Sequence, residues 1–294
     1  MQRIAQRPRD APMMLALKNS HPRDARIQFQ EYQQLPDGRV IKVHRYIIDG
    51  KAWDRCSVSS MLALGYPSSF DPVTKFAGRP EARRAAEISN KFKADFSTVH
   101  HRHWHRHANH LPYERDPDFP EIDHYNSYEE LPGWPHYQRF RQSLEPYWED
   151  WRTEYPMFSI KARLAGTADL ILRDMRYPDR LVLRVVDYKL QQSHSKILHC
   201  VCPNWASPDA SVHRPECLYS PKLASTRDRP CRIATKNATQ CAVYATILTD
   251  CYGAEVYDMT IAYIHPDYPF HLDHCHVEDY DAIVDELIRL WMSK

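Results

Sequence analysis

The stretch LVLRVVDYKL, residues 181–190, is apolar apart from Arg184 until it reaches Asp187 and Lys189. Side chains alternate along a strand, so Leu183 and Val185 share a face with Asp187 and Lys189, while Val182 and Val186 take the other. A strand that is apolar on both faces reads as an interior strand of a covered sheet. A carboxylate buried there without partners is costly. An Asp187–Lys189 pair could neutralise itself, and packing alone would then account for both residues.

The neighbouring segments strain that account. LAGTADLIL, 164–172, is a second hydrophobic strand and carries Asp169; TEYPMFSI, 153–160, is a third and opens with Glu154. YPDR, 177–180, marks the turn between the strands that carry Asp169 and Asp187. If the three strands pair in order, three carboxylates and one ammonium converge at one end of a sheet. Two unit charges about 4 Å apart repel by roughly 4 kcal/mol at an effective dielectric of about 20, so a single lysine does not offset them. A divalent cation does. Mg²⁺ prefers oxygen donors, keeps several waters and commonly adds a substrate phosphate. Glu149 and Asp150 lie close enough to compete with Glu154 for this role.

Working outward, residues 1–38 are polar and rich in Pro, Gln and Arg, and read as an arm in front of a single domain over 39–294. GRVIKVHRYIIDGKAW alternates apolar and polar around Asp49-Gly50, a hairpin signal. SVSSMLALGYPSSFD offers Ser57 as a helix cap and Pro67 as a stop. Residues 79–109 carry a strong helical pattern, expected as two helices broken near Asp95. Residues 111–135 read as a long loop. HYQRFRQSLEPYWEDW reads as a helix kinked at Pro146. Residues 191–235 are irregular. NATQCAVYATILTDCYG is a helix with Asn237 as a cap and Gly253 as its stop. AEVYDMTIAYIHP is a strand, and VEDYDAIVDELIRLWMSK an amphipathic final helix. The sum is an α/β fold, a central mixed sheet flanked by helices.

Bulk properties narrow the class. The 294 residues are 43% hydrophobic and 26% charged, as in a folded soluble protein. No run of about 18 apolar residues spans a membrane. The eight cysteines, with no secretory signal before them, are expected as reduced thiols of an intracellular protein in the cytoplasm or nucleus. The Arg-rich start also fits a mitochondrial presequence. A net charge of +1 does not mark a nucleic-acid binder, although a local basic lining would suffice for one.

Two further clusters stand out. HHRHWHRHANH, 100–110, places His100, His103 and His107 on one helical face at zinc-like spacing. The simpler reading is a basic helix near nucleic acid, with Arg102 and Arg106 on phosphates and Trp104 stacking on a base or lying in the core. Cys200, Cys202, Cys217 and Cys231 invite a zinc or iron–sulfur reading, but C-x-C is poor zinc spacing and unligated thiols fit better. Lys196, Lys222, Arg227, Arg229 and Arg232 suit a DNA groove or, by default, a solvated loop.

Taken in order, Glu154, GTAD with Asp169, and VVDYK with Asp187 and Lys189 resemble the PD-(D/E)XK nuclease superfamily. Ala168 stands where the proline of the name would be. That departure is common in the RecB-like, phage- and virus-type exonuclease branch, where G-x-x-D replaces P-D. The same branch carries Q-x-x-x-Y on a later helix, matched here by Gln240 and Tyr244. It often carries an upstream histidine in a GT-x-x-H context, to which STVH, with Thr98 and His100, is similar. The resemblance runs over about residues 40 to 290.

The resemblance implies a restriction-endonuclease-like core and metal-assisted phosphodiester hydrolysis. Asp169 and Asp187 would ligate Mg²⁺ or Mn²⁺, with the backbone carbonyl of Tyr188, and Glu154 would bind directly or through water. His100 would be a further ligand or a phosphate contact. Lys189 would orient or help deprotonate the attacking water. Gln240 and Tyr244 would brace the site or touch the DNA backbone, although ordinary helix packing explains them equally well. The expected partner is DNA, as linear ends, and the expected activity an exonuclease in replication, recombination or repair. An endonuclease on DNA or RNA, and an inactive nucleic-acid-binding module of a larger complex, are the alternatives. Oligomeric state stays open.

Overall fold

In a computed structural model of the chain, the described residues are 14–35, 37–66, 77–190, 223, 225, 233–265 and 269–294. The expected hairpin is present as β2 (Val40–Ile48) and β3 (Lys51–Trp53). Its turn residues Asp49 and Gly50 both have positive φ, 50° and 74°, as a tight two-residue connection requires. Part of the expected polar arm is structured. Met14–Lys18 forms α1, and Ile27–Gln34 forms β1, which pairs antiparallel with β2. Ile27 and Ile48 are buried together with Phe158, and this apolar anchor fixes a strand whose glutamines are otherwise compatible with solvent.

The second sheet holds the acidic strands. It comprises β4 (Trp148–Ser159), β5 (Leu164–Asp174), β6 (Val182–Lys189), β7 (Glu255–Tyr263) and β8 (His271–His276), in that order across the sheet. Only β6 and β7 run parallel; the other neighbours are antiparallel, so the sheet is mixed. β6 is central, which explains why residues 182, 183 and 185–188 are all buried.

The two faces of β6 meet different layers. Leu183 and Val185 join a large core with Ala238, Cys241, Ala245 and Leu248 of α5 (Ile233–Tyr252). Val186 and Tyr188 join an aromatic core with Trp104 of α3 (Pro80–Ala108) and Tyr137 and Phe140 of α4 (Trp134–Ser143). Each fully buried aliphatic side chain of this kind contributes about 1.5–3 kcal/mol. The result is the expected mixed α/β layering, with α2 (Val58–Gly65) and α6 (Asp281–Met292) closing the large core.

Several local expectations change. Residues 80–108 form one helix of 29 residues, and Asp95 pairs with Lys91 one turn earlier instead of breaking it. Pro146 does not kink a helix: α4 ends at Ser143, and β4 begins at Trp148. Asn237 is not a cap, because α5 starts at Ile233; its buried amide faces the Tyr263 hydroxyl at 3.4 Å. Ser57 does cap α2, accepting from the Ser60 amide at 3.1 Å, and Gly253 ends α5 with φ 67°. Pro67 and residues 191–222, with Cys200, Cys202, Cys217, Lys196 and Lys222, lie outside the described residues, as do Arg227, Arg229, Cys231 and Arg232. No described helix is long and apolar enough to cross a membrane.

Candidate active site

Strand register aligns the three acids. Thr153 pairs with Leu170 and Tyr155 with Ala168, which sets Glu154 directly across from Asp169. Leu170 pairs with Val186, so one step on Asp169 lies across from Asp187. Glu154 adopts φ 45°, a left-handed conformation that costs a non-glycine residue about 1–3 kcal/mol.

A histidine completes the group, and it is His101, the neighbour of the expected His100. His101 Nδ1 lies 3.4 Å from Asp169 Oδ1 and 3.8 Å from Glu154 Oε1. Donor atoms of His101, Glu154 and Asp169 all fall within 4.8 Å of one another, a spacing one cation can bridge. His100 is instead fully buried, its Nδ1 2.9 Å from the Phe96 carbonyl and its ring against Phe96 and Trp104.

Asp187 and Lys189 sit beside this group. Lys189 Nζ is 2.6 Å from Asp187 Oδ2, a close ion pair at the buried end of β6. Lys189 also donates to Gln240 Oε1 at 3.3 Å, and Gln240 Nε2 donates to the Tyr244 hydroxyl at 3.0 Å. Tyr244 in turn packs on Gly166: a Cβ there would meet Tyr244 Cε1 at 2.5 Å and Val58 Cγ2 at 2.8 Å. The glycine of GTAD thus lets α5 settle on β5 closely enough for Gln240 to reach Lys189.

Tyr188 contributes its backbone. Its N–H donates to Asp169 Oδ2 at 2.7 Å. A strand residue's carbonyl leaves the same edge as its N–H, so the Tyr188 carbonyl also looks toward β5. The next carbonyl, of Lys189, points to the opposite edge and accepts from Ile264 at 2.9 Å. The Tyr188 ring is buried in the aromatic core.

The electrostatics follow from crowding. Burial raises Glu154 to about 7, helped by the Asp169 charge. Burial likewise raises Asp187 to about 6, with Asp169 adding to it and Lys189 opposing. Burial alone would lower His101, but Asp169 and Glu154 outweigh it and carry the imidazole up to about 9. Burial also penalises Asp169, yet His101, Lys189 and the Tyr188 N–H hold it below the usual aspartate value. Lys189, despite burial, is held above the usual lysine value by Asp187 and Asp169.

The remaining expected residues serve elsewhere. Arg102 is occupied by acids: Nη1 contacts Asp116 and, at 3.3 Å, Asp118, and Nη2 donates to both oxygens of Glu31 at 3.0 and 3.1 Å. Arg106 binds Glu114 at 2.8 Å and the Pro112 carbonyl at 3.1 Å. Thr98 returns its hydroxyl to the Ala94 carbonyl. Trp104 is core, 1% exposed. His103 and His107 are taken up by Asp123 and by the Tyr137 hydroxyl, so the zinc-spaced histidines, for which a basic helix near nucleic acid is the simpler reading of the sequence, pack among aromatic rings. Glu149 and Asp150, the competitors of Glu154, pair with Lys18 and Arg141. Cys56, Cys241, Cys251 and Cys275 are free thiols.

The burial of α3 separates His101 from His100. Val99, His100, His103, Trp104 and Ala108 form the buried stripe of α3. His101 lies off that stripe and turns to the sheet, as does His105 one turn on, which meets Thr153 of β4 at 2.5 Å. No protein-family model matches the chain, and no curated protein is detectably similar to it in sequence.

Proposed function

We propose that the chain is a Mg²⁺- or Mn²⁺-dependent nuclease that hydrolyses phosphodiester bonds of DNA, acting as an exonuclease on linear ends. The observation that carries this reading is the convergence of Glu154, Asp169, Asp187 and His101 beside Lys189, across three adjacent strands and one helix. Oxygen-rich donors with one imidazole suit a hard divalent ion. The fit is tested by the 4.8 Å donor set and by the crowding of Glu154, Asp169 and Asp187 against one histidine and one lysine.

Asp169, Asp187, Glu154 and His101 would hold the ion, with the Tyr188 carbonyl facing the same edge. A bound ion supplies Lewis acidity to a phosphoryl oxygen and lowers the pKa of a coordinated water. Lys189, beside Asp187, would orient or help deprotonate the attacking water, or donate to a phosphate oxygen. Gln240 fixes the ammonium, and Tyr244 fixes Gln240. The choice of ends over internal bonds, and of DNA over RNA, rests on the sequence resemblance to the RecB-like branch of the PD-(D/E)XK nucleases.

The test is digestion of linear and covalently closed circular DNA, with Mg²⁺ and with EDTA. Loss of linear DNA alone, only with Mg²⁺, is expected. Asp187→Ala and Lys189→Ala should each lower the rate by at least about 100-fold. Cutting of circles would replace exonuclease by endonuclease. Digestion that persists in EDTA, or in Asp187→Ala, would end the metal-nuclease reading.

A further inference from the structure

The face of α5 that carries Gln240 and Tyr244 extends one turn further back, to Lys236. The three residues stand at i, i+4 and i+8, so they share one side of the helix. Gln240 is bound to Lys189, which fixes where that side points: at the end of β6 that carries Asp187 and Lys189. The neighbouring Asn237 amide faces Tyr263, the residue that pairs with Lys189 across β6 and β7, and so ties this first turn to the same strand end.

Lys236 is half-buried there, and among the described residues it has no ion-pair or hydrogen-bond partner. Burial lowers its amine, and the nearby Lys189 charge lowers it further. Among the described residues no carboxylate opposes that effect. The contrast with Lys189 is direct, since Asp187 balances that ammonium at 2.6 Å. An unpaired ammonium, partly desolvated and facing another lysine, is unfavourable in isolation. It is what a site for an arriving anion looks like before the anion is present. Asp187 and Asp169 both act on Lys189 and neither on Lys236, so Lys236 is the ammonium left for an arriving negative group.

We propose that Lys236 is a substrate-binding residue that contacts a backbone phosphate of the nucleic acid next to the one being cleaved. This deepens the nuclease reading and rests on it for the identity of the anion. Lys236 holds the strand in register along α5, while Lys189 remains at the scissile group. A phosphate contact carries charge but no base information, so its loss weakens binding alike on all sequences.

Wild type, Lys236→Ala and Lys236→Arg are compared in two assays. The first measures binding of a fluorescein-labelled linear duplex in Ca²⁺ over a range of NaCl concentrations. The second measures cleavage of the same duplex in Mg²⁺. Lys236→Ala should raise Kd and KM about tenfold and leave kcat within about twofold, as loss of one charge-assisted contact does. The slope of log K against log salt should fall by about one. Lys236→Arg should restore the slope, and all three proteins should show the same Mg²⁺-induced rise in Tm. An unchanged slope in Lys236→Ala, or no rescue by arginine, overturns the assignment. Absence of cleavage by wild type sinks the nuclease reading instead, and the salt slopes then still decide whether Lys236 meets phosphate. Failure of wild type to bind the duplex overturns both.

Discussion

Two histidines two residues apart on α3 meet carboxylates in opposite ways. His103 Nε2 lies 2.8 Å from Asp123 Oδ2, and Asp123 also accepts from the Tyr113 hydroxyl and the Asp116 amide. Both partners are buried, and every oxygen of Asp123 is used. His101 lies 3.4 and 3.8 Å from its two acids, beyond good hydrogen-bond distance. Burial keeps His103 below the ordinary histidine value, whereas the acids around His101 hold it far above. The same residue types thus make a closed lock in one place and an open cluster in the other. The lock pins the 111–127 segment onto α3. The open cluster has donors left over and a strained Glu154, which packing alone does not explain.

The largest expected effect comes from breaking the lock. Asp123→Ala leaves His103, the Tyr113 hydroxyl and the Asp116 amide without their acceptor, and should cost about 3–5 kcal/mol of stability. Chemical denaturation reads this directly. Glu154→Gly should do the reverse in metal-free protein: it removes a like charge and relieves the left-handed backbone, leaving stability within about 1 kcal/mol of wild type or above it. The same substitution should abolish the Mg²⁺-induced rise in Tm. If Glu154→Gly proves as destabilising as Asp123→Ala, the two clusters are alike and the contrast fails.

Next in size is the packing that aims α5. Gly166→Ala sets a methyl against Tyr244 and Val58 and should cost about 1–3 kcal/mol. Cleavage should fall with it, because Gln240 is carried on the same helix. Native-like stability with full activity in Gly166→Ala would mean that the close approach of α5 to β5 is not required.

The smallest effect separates the two histidines by pH. His101 has a raised value, so its contribution is complete below about 6.5 and is lost as pH rises through about 9. His103 has a lowered value, so its contribution is present above about 6.5 and is lost as pH falls below it. In metal-free protein, the stability difference between wild type and His101→Gln should therefore shrink from pH 7 to 9.5. The difference between wild type and His103→Gln should shrink as pH falls from 7 to 5. Parallel profiles for the two variants would show that the neighbouring acids do not act on them differently.

Most of the sheet could be read in advance, because its signals are local. Period-two alternation, the Asp49-Gly50 turn and the doubly apolar run before Asp187 each depend on a few adjacent residues. Register then follows from the short 177–180 connection, and with it the meeting of Asp169 and Asp187. What escaped depends on tertiary choice. The 111–127 segment and α4 bury His100, His103 and Trp104, so the rotation of α3 about its axis decides between His100 and His101. Arg102 and Arg106 look like phosphate ligands in sequence, and only the fold brings Glu31, Asp116, Asp118 and Glu114 to them. β1 is hidden because one buried edge residue, Ile27, is enough to anchor a strand that is otherwise mostly polar.

The central claim is that the open cluster holds a divalent ion and the closed lock does not. Mn²⁺ added to the protein and followed by the loss of its free-ion paramagnetic signal tests this most directly. Wild type should take up one or two ions per chain, Asp169→Asn none at the same concentration, and His103→Gln as many as wild type. Equal uptake by wild type and Asp169→Asn, or none by wild type, would contradict the account.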